Sequence, residues 1–306
     1  MSEADVREAF RNQALFCDRS GTPVTAAVVR GIAAALDRTT ATGRRTLDWP
    51  GDARGSGDSV PLRLAGGFHA LARRGVDPSL NRLYAGALDG AEAIVGDILR
   101  RHDAELVRWL NSPPQTNETG RAGPIMAGLM LLAAEYSLPF ELIELGASAG
   151  LNLNLPRFGY VLGGSGAGDP NSPVQLAPLW EGAPPPLATV QVLASHGVDQ
   201  NPVRIVDPAE RERLIAYCWA DQHERMERLQ AALALADRFP PQLAQGDAAD
   251  FAEAALPDPQ AEGVCRVIYH TIFWTYLPPD KQQRIRNALA AARERDVGAS
   301  ARLAAL

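Results

Sequence analysis

Apolar positions recur at helical spacing through the first 137 residues and at strand spacing only after them. Val6, Phe10 and Leu15 mark a first helix over 4–17. Ser20-Gly21-Thr22-Pro23 then forms a turn and a helix start, ahead of an Ala/Val-rich helix over 25–36. Leu62, Leu64, Phe68 and Leu71 mark a helix over 61–74, stopped by Gly75 and Asp77-Pro78. Two more follow at 94–110 and 124–136. Residues 39–59, rich in Thr, Gly, Asp and Arg, read as a loop. No strand alternation and no internal repeat interrupts this half.

The second half changes character. Short apolar runs at 139–145, 189–199, 242–247 and 264–271 each deliver the chain into small or acidic residues, and helical stretches at 207–237 and 278–295 separate them. That alternation predicts an α/β fold with a mostly parallel sheet. A Gly-, Pro-, Ser- and Asp-rich stretch, about 156–188, predicts an insertion with a hairpin. The pattern thus predicts an all-helical N-terminal domain over 1–137 and an α/β domain over 138–306.

The first of these runs carries the chemistry. Phe140-Glu141-Leu142-Ile143-Glu144-Leu145 ends in Gly146-Ala147-Ser148-Ala149-Gly150. Glycines at such a corner take backbone angles closed to other residues and let a ligand approach the main chain. Read as Glu-x-Gly-x-Ser-x-Gly, this is the nucleotide-binding turn of a Rossmann-like sheet. Read as Gly-x-Ser-x-Gly, it is a nucleophile elbow with Ser148 at its tip. A plain strand-to-helix corner also selects small residues.

Other polar groups stand at the remaining exits. Asp199 ends the second run, where such folds hold ribose hydroxyls, although Asp199-Gln200-Asn201-Pro202 is also an ordinary turn. Asp247 follows the third run and His270 the fourth. One helix before the Gly-rich turn lies Gln115-Thr116-Asn117-Glu118-Thr119-Gly120-Arg121, more polar groups than a helix cap needs. Trp219 beside Asp221 fits a substrate wall, while Asp221 and Arg225 have the spacing of a helix-surface ion pair. His69 reads as a packed or surface helix residue rather than a catalytic one.

Gln-Thr-Asn-Glu-x-Gly-Arg, a helix, and then Glu-Leu-Gly-Ala-Ser-Ala-Gly-Leu-Asn-Leu is similar to a bacterial family of unknown function, number 2332, over most of the chain. That resemblance supplies relatives but no reaction. Glu144 to Gly150 also resembles the first motif of class I S-adenosylmethionine-dependent methyltransferases, and Gly246-Asp247-Ala248 their third-strand exit. The second resemblance implies S-adenosylmethionine as cofactor and a small-molecule acceptor. In it, Gly146, Ser148 and Gly150 shape the turn, Glu144 orients the donor's amino-acid end, Asp199 holds the ribose and Asp247 reads the adenine. His270 or Glu118 would serve as base, with Asn117, Arg121 and Trp219 towards the acceptor. Two alternatives stay open: a serine hydrolase using Ser148, Asp247 and His270, and a nucleotide- or metabolite-binding protein without catalysis. Class I methyltransferases continue with further strands after the helix at 280–295, so a shortened chain or an incomplete sheet is expected.

Charge and cysteines narrow the partners. A net charge of −6 provides no basic field for nucleic acid or anionic lipid. Lys281 is the only lysine. Cys17, Cys218 and Cys265 lack Cys-x-x-Cys pairing, so reduced, buried thiols are expected rather than a disulfide framework or a metal site. With no apolar signal core behind the acidic N-terminus and no run long enough for a membrane helix, the expectation is a cytoplasmic protein. Nothing in the pattern sets an oligomeric state.

Overall fold

The computed structural model describes residues 1–256, 261–295 and 302–305, the last four as backbone. The chain divides into two compact units, one of residues 1–116 with 207–226, the other of 117–206 with 227–306. The polar segment from Asn117 and the helix after it therefore group with the sheet, and residues 207–226 group with the helical unit. No helix among the described residues is long and apolar enough to cross a membrane.

In the first unit the chain forms α1 (Glu3–Arg19), α2 (Pro23–Ala35), α3 (Ala41–Leu47), α4 (Val60–Arg73), α5 (Pro78–Tyr84), α6 (Ala91–Arg101) and α7 (Asp103–Trp109). Val6, Phe10, Val28, Ile32, Leu64, Phe68, Leu71, Leu80, Val95 and Ile98 are fully buried in one core. That is the stripe the helical spacing implied. Helix α3 lies inside the expected loop at 39–59. It presents few apolar positions, and its first amides Ala41 and Thr42 donate to Asp103, 62 and 61 residues away. Thr40 adds a local cap by accepting from the Gly43 amide at 3.0 Å, whereas no local signal announces the Asp103 contact.

The second unit opens with α8 (Ala122–Tyr136) and β1 (Phe140–Leu145). A hairpin of β2 (Gly159–Leu162) and β3 (Ser165–Gly168) fills the expected insertion, joined by β4 (Gln175–Leu176) alongside β2. Its turn residues, Gly163 and Gly164, both have positive φ, as a two-residue hairpin demands. Next comes β5 (Val192–Asp199). Helix α9 (Pro208–Ala216) belongs to the first unit, and α10 (His223–Arg238) spans the division between units. The second unit closes with β6 (Gln242–Gln245), α11 (Ala248–Ala255), β7 (Cys265–His270), α12 (Pro279–Arg295) and β8 (Arg302–Ala305).

The main sheet runs β6-β5-β1-β7-β8, every pairing parallel. A strand therefore does follow the closing helix. The order reverses between β1 and β7, making a switch point at their carboxyl ends. Leu145 stands opposite Val198 and His270, and Glu144 opposite Gly197 and Tyr269. Ile143, Leu145, Val198 and Ile268 pack with Ala249, Ala252 and Ile285 of α11 and α12. Alternation along the strand turns Glu144 to the other face.

Candidate functional site

The turn after β1 is shaped by packing as well as by backbone angle. Gly146, Ser148 and Gly150 have φ of +72°, +56° and +70°. A Cβ on Gly146 would lie 2.2 Å from the Phe273 ring, and one on Gly150 2.8 Å from Pro241. Both glycines are therefore required by close neighbours and by the left-handed backbone. Ser148 adopts the left-handed region without that freedom, a strained conformation of the kind that gathers at sites.

The turn is stitched to the exit of β5. The amides of Gly146 and Ala147 donate to the Val198 carbonyl. Asp199 accepts from the Ser148 amide through Oδ2 at 2.8 Å and from the Asn201 amide through Oδ1 at 2.8 Å. Its carboxylate thus fixes the tip of the turn, leaving the second lone pair of each oxygen for other donors.

The polar segment ahead of α8 reaches the same turn. Asn117 Oδ1 accepts from the Leu151 amide at 2.8 Å, and Asn152 Nδ2 donates to the Glu118 carbonyl at 3.4 Å. Glu118 accepts from the Gly120 amide at 2.9 Å and lies 3.7 Å from Arg228. Arg121 donates to the Thr271 carbonyl, just past β7, at 3.3 Å. Asn117, Glu118, Arg121, the Gly-rich turn and the β7 exit are thereby held together.

Beneath this arrangement sits Glu144, 1% exposed. Tyr269 Oη donates to its Oε2 at 3.3 Å, whereas Oε1 has no hydrogen-bond partner among the described residues. Burial pushes its carboxyl up to about 8, although Tyr269, Asn152 and Arg121 pull the other way. Desolvation wins because only weak contacts reach the carboxyl. Three further polar atoms in the same region are buried without a partner among the described residues: Ser148 Oγ, Asn152 Oδ1 and His270 Nδ1. The His270 ring stacks on Trp274 at 5.4 Å, and burial lowers its pKa. The imidazole is therefore neutral at pH 7, with a basic nitrogen available.

Asp247 and Trp219 stand apart from this cluster in what they do. Asp247 lies at the exit of the edge strand β6. Its carboxylate accepts from the Ala249 and Asp250 amides of α11 at 2.9 and 3.3 Å and pairs with Lys281 at 2.5 Å. Burial pushes the carboxyl up, but Lys281 and those amides hold it below its ordinary value. It works as a helix cap and an ion-pair partner. Trp219 belongs to the helical unit, edge-on to Phe16 at 6.1 Å. Asp221 caps α2 by accepting from the Val24 and Thr25 amides, and Arg225 donates to Gln222. His69 is buried, with Nδ1 3.0 Å from the Ala216 carbonyl and its ring stacked on Tyr84, and burial lowers its pKa to about 4.

Sequence reasoning passed over Asn152, Tyr269 and Phe273. Asn152 is two residues beyond the motif, and Tyr269 is set beside Glu144 by strand register, which follows only once β1 and β7 are known neighbours. All three cysteines are buried, and none forms a disulfide among the described residues. No curated protein and no solved structure matches the chain. A family model described as an uncharacterized protein conserved in bacteria, DUF2332, matches residues 7–306, and the chain belongs to that family.

Proposed function

We propose that the sheet unit binds S-adenosylmethionine at the carboxyl ends of β1, β5 and β7 and transfers its methyl group to a small acceptor. The observation that carries this is the gathering of four unpartnered buried polar atoms, on Glu144, Ser148, Asn152 and His270, about the glycine corner. Buried polar atoms are rarely left unpaired, and a cluster of them suits a polar ligand that completes the set. The strand order supports a Rossmann-like reading: numbered among themselves, the five parallel strands run third, second, first, fourth, fifth. Ligands of such sheets bind at the switch point, here between β1 and β7.

The residues fit the cofactor unevenly. Glu144, once ionised, offers a carboxylate to the ammonium of an amino-acid end. Asp199 has lone pairs left for ribose hydroxyls. Asp247 is already occupied by α11 and Lys281, so adenine recognition is not assigned to it. When bound, S-adenosylmethionine supplies a methyl group on a sulfonium leaving group. The protein's own part is alignment and exclusion of water. His270 Nδ1 would accept a proton from the acceptor, and Phe273 would bound the turn above Gly146. Glu118, which holds Gly120, is the weaker candidate for base.

Ser148 has the positive φ of a hydrolase elbow, and that observation favours a second chemistry, although its hydroxyl is buried where an elbow exposes it. A hydrolase also needs an acid to orient its histidine. Asp247 follows β6, which β5 and β1 separate from β7 in the sheet, and pairs with Lys281 instead.

Calorimetric titration with S-adenosylhomocysteine is the test. Saturable one-site binding, weakened at least about tenfold in Asp199→Asn, is expected. No binding to the unmodified protein would sink the proposal. Binding without transfer to any of a broad acceptor panel would leave a binding protein, and labelling of Ser148 by a fluorophosphonate would favour hydrolysis.

A further inference from the structure

Along the first half of β5 and the start of β6 runs a groove of about 460 Å³. Its walls include Asn154, Arg157, His196, Arg238, Phe239 and Pro241. No Asp or Glu lines it, in a chain whose acids outnumber its bases. The guanidinium carbon of Arg157 lies 4.3 Å from the Phe239 ring centroid, and that of Arg238 lies 5.6 Å from the same centroid.

Neither guanidinium has a carboxylate or hydrogen-bond partner among the described residues. Most other arginines in the protein do, as Arg284 does with Asp250 and Glu253. Two like charges about one ring repel each other, and stacking on Phe239 offsets only part of that. The ring contacts hold each guanidinium beside Phe239 and use none of its N–H groups as conventional donors. The segment presenting Phe239 is held as well. Asn154 Nδ2 donates to the Phe239 carbonyl at 2.9 Å, and Pro240 and Pro241 restrict the chain that follows.

We infer that this groove binds a phosphate-bearing small molecule through the guanidiniums of Arg157 and Arg238. A phosphate monoester, with three acceptor oxygens and a charge approaching −2, answers two cationic forks more fully than a singly charged carboxylate does. The volume is larger than a phosphate alone requires, and Leu153, Leu193, Phe239 and the prolines line the remainder with apolar surface. An organic phosphate ester suits both parts. The inference is independent of what occupies the carboxyl ends of the strands.

Titration of the full chain with inorganic phosphate and with phenyl phosphate tests it. Both probes are expected to saturate one site. Arg157→Gln and Arg238→Gln should each weaken both at least about tenfold, while Arg82→Gln, in the helical unit, should change neither. Tighter binding of phenyl phosphate would identify an ester as the ligand, and equal binding would identify free phosphate. Both arginines are exposed, so the variants should keep the parent's melting temperature. Failure of both probes to saturate at millimolar concentration, or unchanged binding in both variants, overturns the inference.

Discussion

Glu144 shows how far a single residue can be read ahead of its structure. Its place at the end of an apolar run was legible, because a strand feeding a glycine corner leaves a recognisable pattern. Its burial to 1% and its contact with Tyr269 were not legible, since both depend on which strands lie beside β1. The consequence is measurable as a pH dependence. The carboxyl titrates at about 8 in the folded protein, against an ordinary value of 4.5. Between these values the unfolded chain has released a proton that the folded chain keeps. Stability associated with Glu144 is therefore full below pH 4.5 and lost as pH rises through 8, by about 1.4 kcal/mol per unit at most. His69, lowered to about 4, works in the opposite sense below pH 6.5, so the window above 6.5 isolates Glu144. Glu144→Gln is expected to flatten the decline in urea midpoint between pH 6.5 and 8 and to exceed the parent's stability at pH 8. An unchanged slope would show that the carboxyl is ionised throughout.

At the scale of elements, helix existence was more legible than helix capping. Ser2 with Asp5, and Asp77, are local caps of the kind sequence discloses. Helix α2 has no side-chain cap from its own N-cap residue, Thr22. Asp221, almost two hundred residues later, supplies the acceptor through Val24, Thr25 and the Thr25 hydroxyl, at 2.8 to 3.0 Å. Local spacing suggested that the same carboxylate would pair with Arg225. The helix terminus competes better because its free amides converge on both oxygens. Asp221→Ala is expected to cost about 1–2 kcal/mol, as loss of a helix cap does, with Asp221→Asn costing less because an acceptor oxygen remains. Chemical denaturation measures both, and equal stability of parent and Asp221→Ala would show that the cap carries no weight. The site follows the same logic. Asn117 was singled out for its company of polar residues, but its acceptance from Leu151 became evident only with the turn beside it.

At the scale of the whole molecule, alternating apolar runs disclosed an α/β half behind a helical half, and the strand at 302–305 supplied an element the pattern did not announce. Unit membership was less legible, because periodicity follows neighbours in sequence and these units are each built from separated segments. The helical unit depends on residues 207–226 in three ways. Asp221 caps α2, the Ala216 carbonyl meets buried His69, and Tyr217 packs edge-on to Trp109 at 5.6 Å. Tyr217 also lies against Gly66, where an added Cβ would stand 2.5 Å from its ring. A fragment of residues 1–137 contains seven helices of this unit but none of those contacts. It would expose His69 and the faces of Gly66 and Trp109 and leave the first amides of α2 without an acceptor. Such a fragment is expected to retain helical circular dichroism but to bind a hydrophobic dye and melt without a sharp transition, as a domain missing core contacts does. Adding the peptide 207–226 in trans should restore part of the cooperativity, with Asp221→Ala in that peptide restoring less. A sharp melt of the fragment alone would mean that the helical unit closes its core before residues 207–226 arrive, and that these residues only decorate it.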